Sequence, residues 1–263
     1  MLTDNAYRFS ENILTYIMNH VSINNIITTI MNSMKGQACL EMGNGGKMAG
    51  RKKNPEQTAA TRSVFLEKSF ELFEAKTIES VTMSEIAKAS GYRDMTLYRY
   101  FPSKTNLVVA VATWKWEQFQ NENWEQISGE EFDGMTAAEG LEYYLDSFME
   151  LYRNHRDLLK FNQYFNVYIE SEETDAETIG PYQEMIGIVQ QRFHGMYLKG
   201  EKDHTIRTDI QEDEMFSTTL HLMLAAVTRY AVGLVYQGGG APERELEVLK
   251  NMLLREYTAI PAR

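Results

Sequence analysis

Between Thr82 and Pro102 the chain is punctuated so closely that it has room for only two very short helices about a tight turn. Thr82-Met83-Ser84-Glu85 is a capping-box pattern: the Thr82 hydroxyl can accept from the Glu85 N–H while the Glu85 carboxylate reaches back to the Thr82 N–H. A helix should start there. It carries Ile86 inward, with small Ala87 and Ala89 where another helix must approach closely, and Gly91 supplies the left-handed position that ends it. In the segment Asp94 to Phe101, Leu97 and Phe101 lie four residues apart and can bury together, while Thr96, Arg99 and Tyr100 project outward. Pro102 stops this second helix. Ser103 is a good N-cap for a further helix from Lys104, whose ammonium would sit beside exposed N–H groups that attract phosphate. Two short helices about a glycine turn are the helix-turn-helix unit, and its second helix has room to enter a major groove.

The rest of the chain reads as all-α. Phe65, Leu66, Ser69, Phe70, Leu72 and Phe73 fall on one half of a helical wheel, with Glu67, Lys68, Glu71 and Glu74 on the other. The same period predicts helices over Asn106 to about Gln126, Ala137 to Asn154, Arg156 to Ser171, Thr178 to Lys199, Glu212 to Gln237 and Glu243 to Thr258. Gly129, Gly134, Gly180-Pro181, Gly200 and Gly238 to Pro242 mark the connections. No alternating pattern is long enough to build a sheet, and no internal repeat is present.

Charge divides the chain. The net charge of −11 argues against nucleic acid at first sight, because phosphate binding needs Lys and Arg. From Met48 to Thr105, however, ten basic residues face seven acidic ones, whereas from Asn106 onward thirteen basic residues face twenty-seven acidic. A weakly basic module is joined to an acidic body, which leaves one face to meet a polyanion. The Arg51-Lys52-Lys53 arm just ahead of the first helix can reach a phosphate backbone or a minor groove. The single cysteine, Cys39, forms neither an internal disulfide nor a zinc cluster, and fits a cytoplasmic protein. Residues 1–47 are nearly free of charge and rich in Ile, Asn, Thr and Met. They lack the apolar length of a membrane span and the parts of a signal peptide. They are expected to be a disordered or non-native extension translated from an upstream start, with the natural start at Met48.

Residues Phe70 to Phe73, Val81 to Ala87 and Gly91 to Lys104 closely resemble, in order, the N-terminal domain of the TetR family of transcriptional regulators. The resemblance is strong over about Thr58 to Val111. It implies a three-helix DNA-binding domain over 48–105, a larger helical ligand-sensing and dimerisation domain over 106–263, and a homodimer that represses by covering a palindromic operator until an inducer binds. Carried over by position, Thr82, Ser84, Tyr98, Tyr100 and Lys104 hold phosphates, and Arg93, Thr96 and Arg99 lie nearest the bases. Asp94 and Met95 depart from the family's pattern, and Asp94 is expected either to accept from a cytosine N4 or, the favoured reading, to cap the recognition helix.

Aromatic and methionine side chains in the body can line an adaptable apolar pocket. Trp114, Trp116, Phe148, Tyr152, Phe165, Tyr168 and Met185 are the expected ligand-binding set. In the family the last two long helices pair with those of a second copy. Leu220, Leu224, Val227 and Val235, with Leu246, Leu249 and Leu253, have the helical spacing for such an interface. No cofactor, metal or membrane partner is expected. An all-α enzyme and a protein-binding adaptor are the rival readings. The five histidines lack metal-ligand spacing, no Gly-x-Ser-x-Gly elbow occurs, and His155-Arg156-Asp157 stands without the strands and glycine loop of a kinase.

Overall fold

Apolar residues recurring at helical spacing leave one economical architecture, helices packed on helices. The structure, a computed structural model, describes residues 55–125, 129–233 and 241–258. Ten α-helices run through them: α1 (Pro55–Ala75), α2 (Met83–Ala89), α3 (Asp94–Tyr100), α4 (Lys104–Glu125), α5 (Gly129–Gly134), α6 (Ala137–Asn154), α7 (Arg156–Ser171), α8 (Ala176–Asp203), α9 (Glu212–Ala231) and α10 (Pro242–Tyr257). The β pairing among the described residues is an isolated bridge between Ile206 and Thr258. The chain is therefore all-α, as expected. Residues 1–47, Arg51, Lys52 and Val235, and with them the expectations placed there, lie outside the described residues.

The first three helices form a small head. Phe65 and Phe73 of α1, Ile78, Val81, Ile86, Ala87 and Leu97 are all wholly buried. At about 1.5–3 kcal/mol for each large side chain removed from water, this cluster is what orders two helices of seven residues, which would not persist alone. The predicted capping box of α2 is present, and Gly91 has φ +76°, the left-handed turn that a Cβ would strain.

Helix α4 continues from the head into the body, packing on α1, α7 and α8. A second seam joins the two where Phe161 of α7 stacks on Phe73 at 6.2 Å and meets Phe70 edge-on at 5.4 Å. Lys160 pairs with Glu74 at 3.0 Å beside it. His155 is both the C-cap of α6 and the N-cap of α7, so His155-Arg156-Asp157 is the corner between two helices.

Two expected breaks are corrected. Helix α8 runs through both Gly180-Pro181 and Gly200 to Asp203. Pro181 stands near the helix start, and Gly180 before it has no Cβ, one of the two groups whose clash with the proline ring pushes the preceding residue out of the helical region. Gly200 marks a close approach: a Cβ there would lie 2.3 Å from Ile206 Cγ1. The helix instead ends at His204, in the left-handed region at φ 57°, where Asp203 accepts from the backbone N–H groups of Ala137 and Thr205.

Helices α9 and α10 both lie on α6. Lys250 of α10, 5% exposed, reaches Asp146 and Glu142 of α6 at 2.5 and 3.2 Å and Glu247 of its own helix at 3.8 Å. Burial opposes its charge, yet these carboxylates outweigh it and raise the ammonium's pKa.

Gly200→Ala should lower the unfolding free energy by about 1–3 kcal/mol in urea titrations, the ordinary cost of overpacking. Gly187→Ala, on the same helix with nothing within 4 Å of the added methyl, should instead stabilise by up to about 1 kcal/mol. Equal effects at the two sites would refute the close approach.

Candidate nucleic-acid interface

The phase of α3 decides what it presents. Leu97 is fully buried and Phe101, its C-cap, is 3% exposed, so the opposite side faces solvent. Arg93, Asp94, Met95, Tyr98 and Arg99 lie there, and Met95 is 81% exposed. Sequence reasoning left Met95 off the list of contacts. Its phase could have found it, since Tyr98 and Arg99 follow it by three and four residues.

Thr96 is half-buried at the edge of this face. Tyr100, expected to project outward, is corrected to a half-buried position with its ring 5.6 Å from that of Phe65. It follows Leu97 by three residues and so shares the inward edge of the helix. The Arg99 guanidinium lies 5.6 Å from the Tyr100 ring centroid, which steadies a side chain otherwise free in solvent.

The expected Asp94 cap is also corrected. Arg93 holds the N-cap position without a side-chain capping bond, and Asp94 is the first helical residue. Its Oδ1 accepts from the Ser84 hydroxyl at 3.4 Å, joining the starts of α2 and α3. The carboxylate still suits the positive end of the α3 dipole.

Thr82 and Ser84 are both exposed at the start of α2. The Thr82 hydroxyl accepts from the Glu85 N–H at 3.2 Å and donates to Glu85 Oε2 at 3.0 Å, while the Thr82 N–H donates to the same oxygen at 2.8 Å. That N–H bond, followed by Lys76 at 3.1 Å and the Thr82 hydroxyl, holds the Glu85 carboxyl down at about 2.

Ser103 caps α4 as expected, accepting from the Asn106 N–H at 3.1 Å. Lys104 departs from expectation in direction. Its ammonium donates to the Glu79 carbonyl at 3.2 Å and stands 5.6 Å from the Tyr168 ring, and burial pushes its pKa down. Two of its three N–H donors are left for another acceptor. Thr105 beside it meets the Tyr168 hydroxyl at 3.3 Å.

In the body, six of the seven expected pocket residues are packed in the core: Trp116, Phe148, Tyr152, Phe165, Tyr168 and Met185 are 2–8% exposed. Buried polar neighbours hold two of them. The Trp116 indole donates to Asn162 at 3.3 Å, and the Gln120 amide approaches the Met185 sulfur at 2.9 Å. The seventh, Trp114, lines an open cleft of about 530 Å³. Among the described residues no group of His, Cys, Asp and Glu could hold a metal ion, and no helix is long and apolar enough to cross a membrane.

Part of the expected dimer stripe is corrected too. Val227, Leu246 and Leu253 are 0%, 1% and 6% exposed, because α6 lies beneath α9 and α10 and covers them. Leu220, Leu224 and Leu249 are half-buried. Among the described residues of α9 and α10, the large apolar side chains facing outward are Leu222, Val248 and Met252.

Residues 65–111, which hold the second half of α1, all of α2 and α3, and the start of α4, match the family model for bacterial regulatory proteins of the tetR family. That match covers the helix-turn-helix head, and it is this head that is similar to the TetR family. TetR proteins are DNA-binding transcriptional regulators rather than enzymes. No curated protein matches the sequence. Solved structures share the TetR fold at low identity. A Saccharomonospora viridis protein in complex with choline superposes with a TM-score of 0.60 at 16% identity, over 77% of this chain and 100% of that one. The transcriptional regulator FadR from Bacillus subtilis, in complex with stearoyl-CoA, gives 0.58 at 18% identity, over 74% and 98%. A TetR family regulator from Marinobacter aquaeolei gives 0.52 at 18%, over 79% and 100%.

The α2 cap sets a pH limit on the head. A carboxyl lowered from 4.5 to about 2 adds stability that is complete above pH 4.5 and lost as the pH falls through about 2. In a carboxyl-detected NMR titration Glu85 should titrate near 2, and in Thr82→Ala close to its ordinary value. A midpoint unchanged by that substitution would contradict the cap as the cause.

Proposed function

We propose that this chain is a cytoplasmic, homodimeric repressor that covers a palindromic operator and leaves it when a small-molecule inducer binds. The outward face of α3 carries the reading. Arg93 and Arg99 can donate to guanine edges, Thr96 to either kind of base, and Met95 can pack on a thymine methyl. Tyr98, Tyr100, Thr82, Ser84 and Lys104 then serve the flanking phosphates, and the Arg51-Lys52 arm adds backbone or minor-groove contacts. Residues 48–105 act as the reading head and 106–263 as the sensing and pairing body.

The outer faces of α9 and α10 support pairing with a second copy. Leu222, Val248 and Met252 are 45%, 54% and 60% exposed there. Leu220, Leu224 and Leu249 flank them, while Val227, Leu246 and Leu253 serve the core of each subunit. A two-fold axis between such faces presents two heads to two half-sites, which is why the operator should be palindromic. Similar folds hold ligands as unlike as choline and stearoyl-CoA, which supports a helical body that accepts a small molecule and leaves its chemistry to the side chains.

Fluorescence anisotropy with DNA from upstream of the gene, across a salt series, tests the reading. Lys104→Ala should weaken binding to all sequences and reduce the salt slope by about one. Arg99→Ala should relax the preference at one base pair, at a cost of about 1–3 kcal/mol for the preferred sequence. An unchanged slope would remove Lys104 from the phosphate contacts, and uniform weakening would make Arg99 a phosphate anchor. Met252→Asp should yield monomers in sedimentation; a persistent dimer would place the interface elsewhere.

A further inference from the structure

The open cleft beside Trp114 is walled by both parts of the molecule. Arg62 of α1 and Tyr100 of α3 bound it from the head, and Trp114 and Glu117 of α4 with Glu177 and Pro181 of α8 from the body. Its volume, about 530 Å³, is that of a site for a drug-sized molecule. It is separate from the packed interior that holds the other six expected pocket residues.

The lining has a definite chemistry. Glu117 and Glu177 are exposed, and neither has an ion-pair partner among the described residues. They face a cleft that also offers the half-buried ring of Trp114, whose π-face attracts cations, while the Tyr100 ring already carries the Arg99 guanidinium at 5.6 Å. Arg62 is the one basic residue of the lining, and its guanidinium is set over the Phe101 ring at 5.3 Å. Lys115 comes within 5.5 Å of the Trp114 ring but leans closer to Phe70, at 4.3 Å, and is not among the lining residues. Two carboxylates against one guanidinium, on a strongly acidic body, favour a positively charged occupant.

We propose that this cleft is an effector site for an organic cation with a bulky aromatic body, held by Glu117 and Glu177 and packed against Trp114. The proposal rests on the ligand-responsive reading above and locates its control at the junction of head and body. Because the walls belong to both, a tilt of the head reshapes the cleft, so an occupant that prefers one tilt changes DNA affinity by the same factor by which DNA changes its own.

Tetraphenylphosphonium and tetraphenylborate, ions of like shape and opposite charge, provide the test with the full chain, first without DNA. Calorimetry should show one tetraphenylphosphonium site per chain and at least tenfold weaker binding of tetraphenylborate, a difference of about 1.4 kcal/mol or more. Glu117→Gln and Glu177→Gln should each weaken the cation about fivefold, with helical circular dichroism unchanged, and Arg62→Gln should strengthen it. Equal binding of the two ions, or a cation affinity indifferent to both glutamates, would overturn the site. Adding tetraphenylphosphonium should then shift operator affinity in wild type and less in Glu117→Gln; no shift in wild type would overturn the coupling. A chain that binds the cation as expected but binds no operator would keep the site and defeat the regulator reading. Operator binding without cation binding would defeat the site alone.

Discussion

Burial of Leu97 and Phe101 against α1 and α2 fixes the rotation of α3 about its axis, and everything proposed for DNA depends on that rotation. A seven-residue helix has no stable phase of its own. With Leu97 wholly inside, Met95, Tyr98 and Arg99 must point out, and Tyr100 must lie along the boundary. A turn of the helix by one residue would bury Tyr98 and expose the core. The capping box of α2, the left-handed Gly91 and the Ser84–Asp94 bond act on the same unit from its ends, setting where each short helix begins and stops.

The head was legible because its signals are local. A threonine three residues before a glutamate, a glycine at a left-handed turn and a proline after the second helix each act within one turn of backbone, and all three do in the structure what the sequence implies. Where a long-range partner decides, the sequence misleads. Gly180-Pro181 reads as a break, yet α8 passes through it, because contacts of the remaining helix with α4, α6 and α9 outweigh a local cost near its first turns. Leucine spacing revealed that α9 and α10 have apolar faces but not which neighbour covers them. Val227, Leu246 and Leu253 meet α6, and the outward stripe falls on Leu222, Val248 and Met252. Lys104 and Asp94 show the same limit for charged groups, since the Glu79 carbonyl that accepts from the one and the Ser84 hydroxyl that donates to the other come from elsewhere in the chain.

Head and body are bound along two lines, and both pass close to residues expected to work. Helix α4 carries Lys104 at one end and Trp114 and Glu117 further along, so the proposed phosphate contact and the proposed cation cleft share one rigid element. Helix α7 grips α1 through Phe161 and Lys160 and also supplies Tyr168, which touches the first turn of α4. A change in how α4 sits between α1 and α8 is therefore felt at the recognition helix without any long chain of intermediaries.

Cross-linking from a single position tests the orientation of α3 most directly. With p-benzoylphenylalanine in place of Met95, irradiation of the operator complex should join the chain to major-groove bases, and the same probe at exposed Val167 of α7 should leave the DNA untouched. Cross-links from position 167 with none from position 95 would contradict the account.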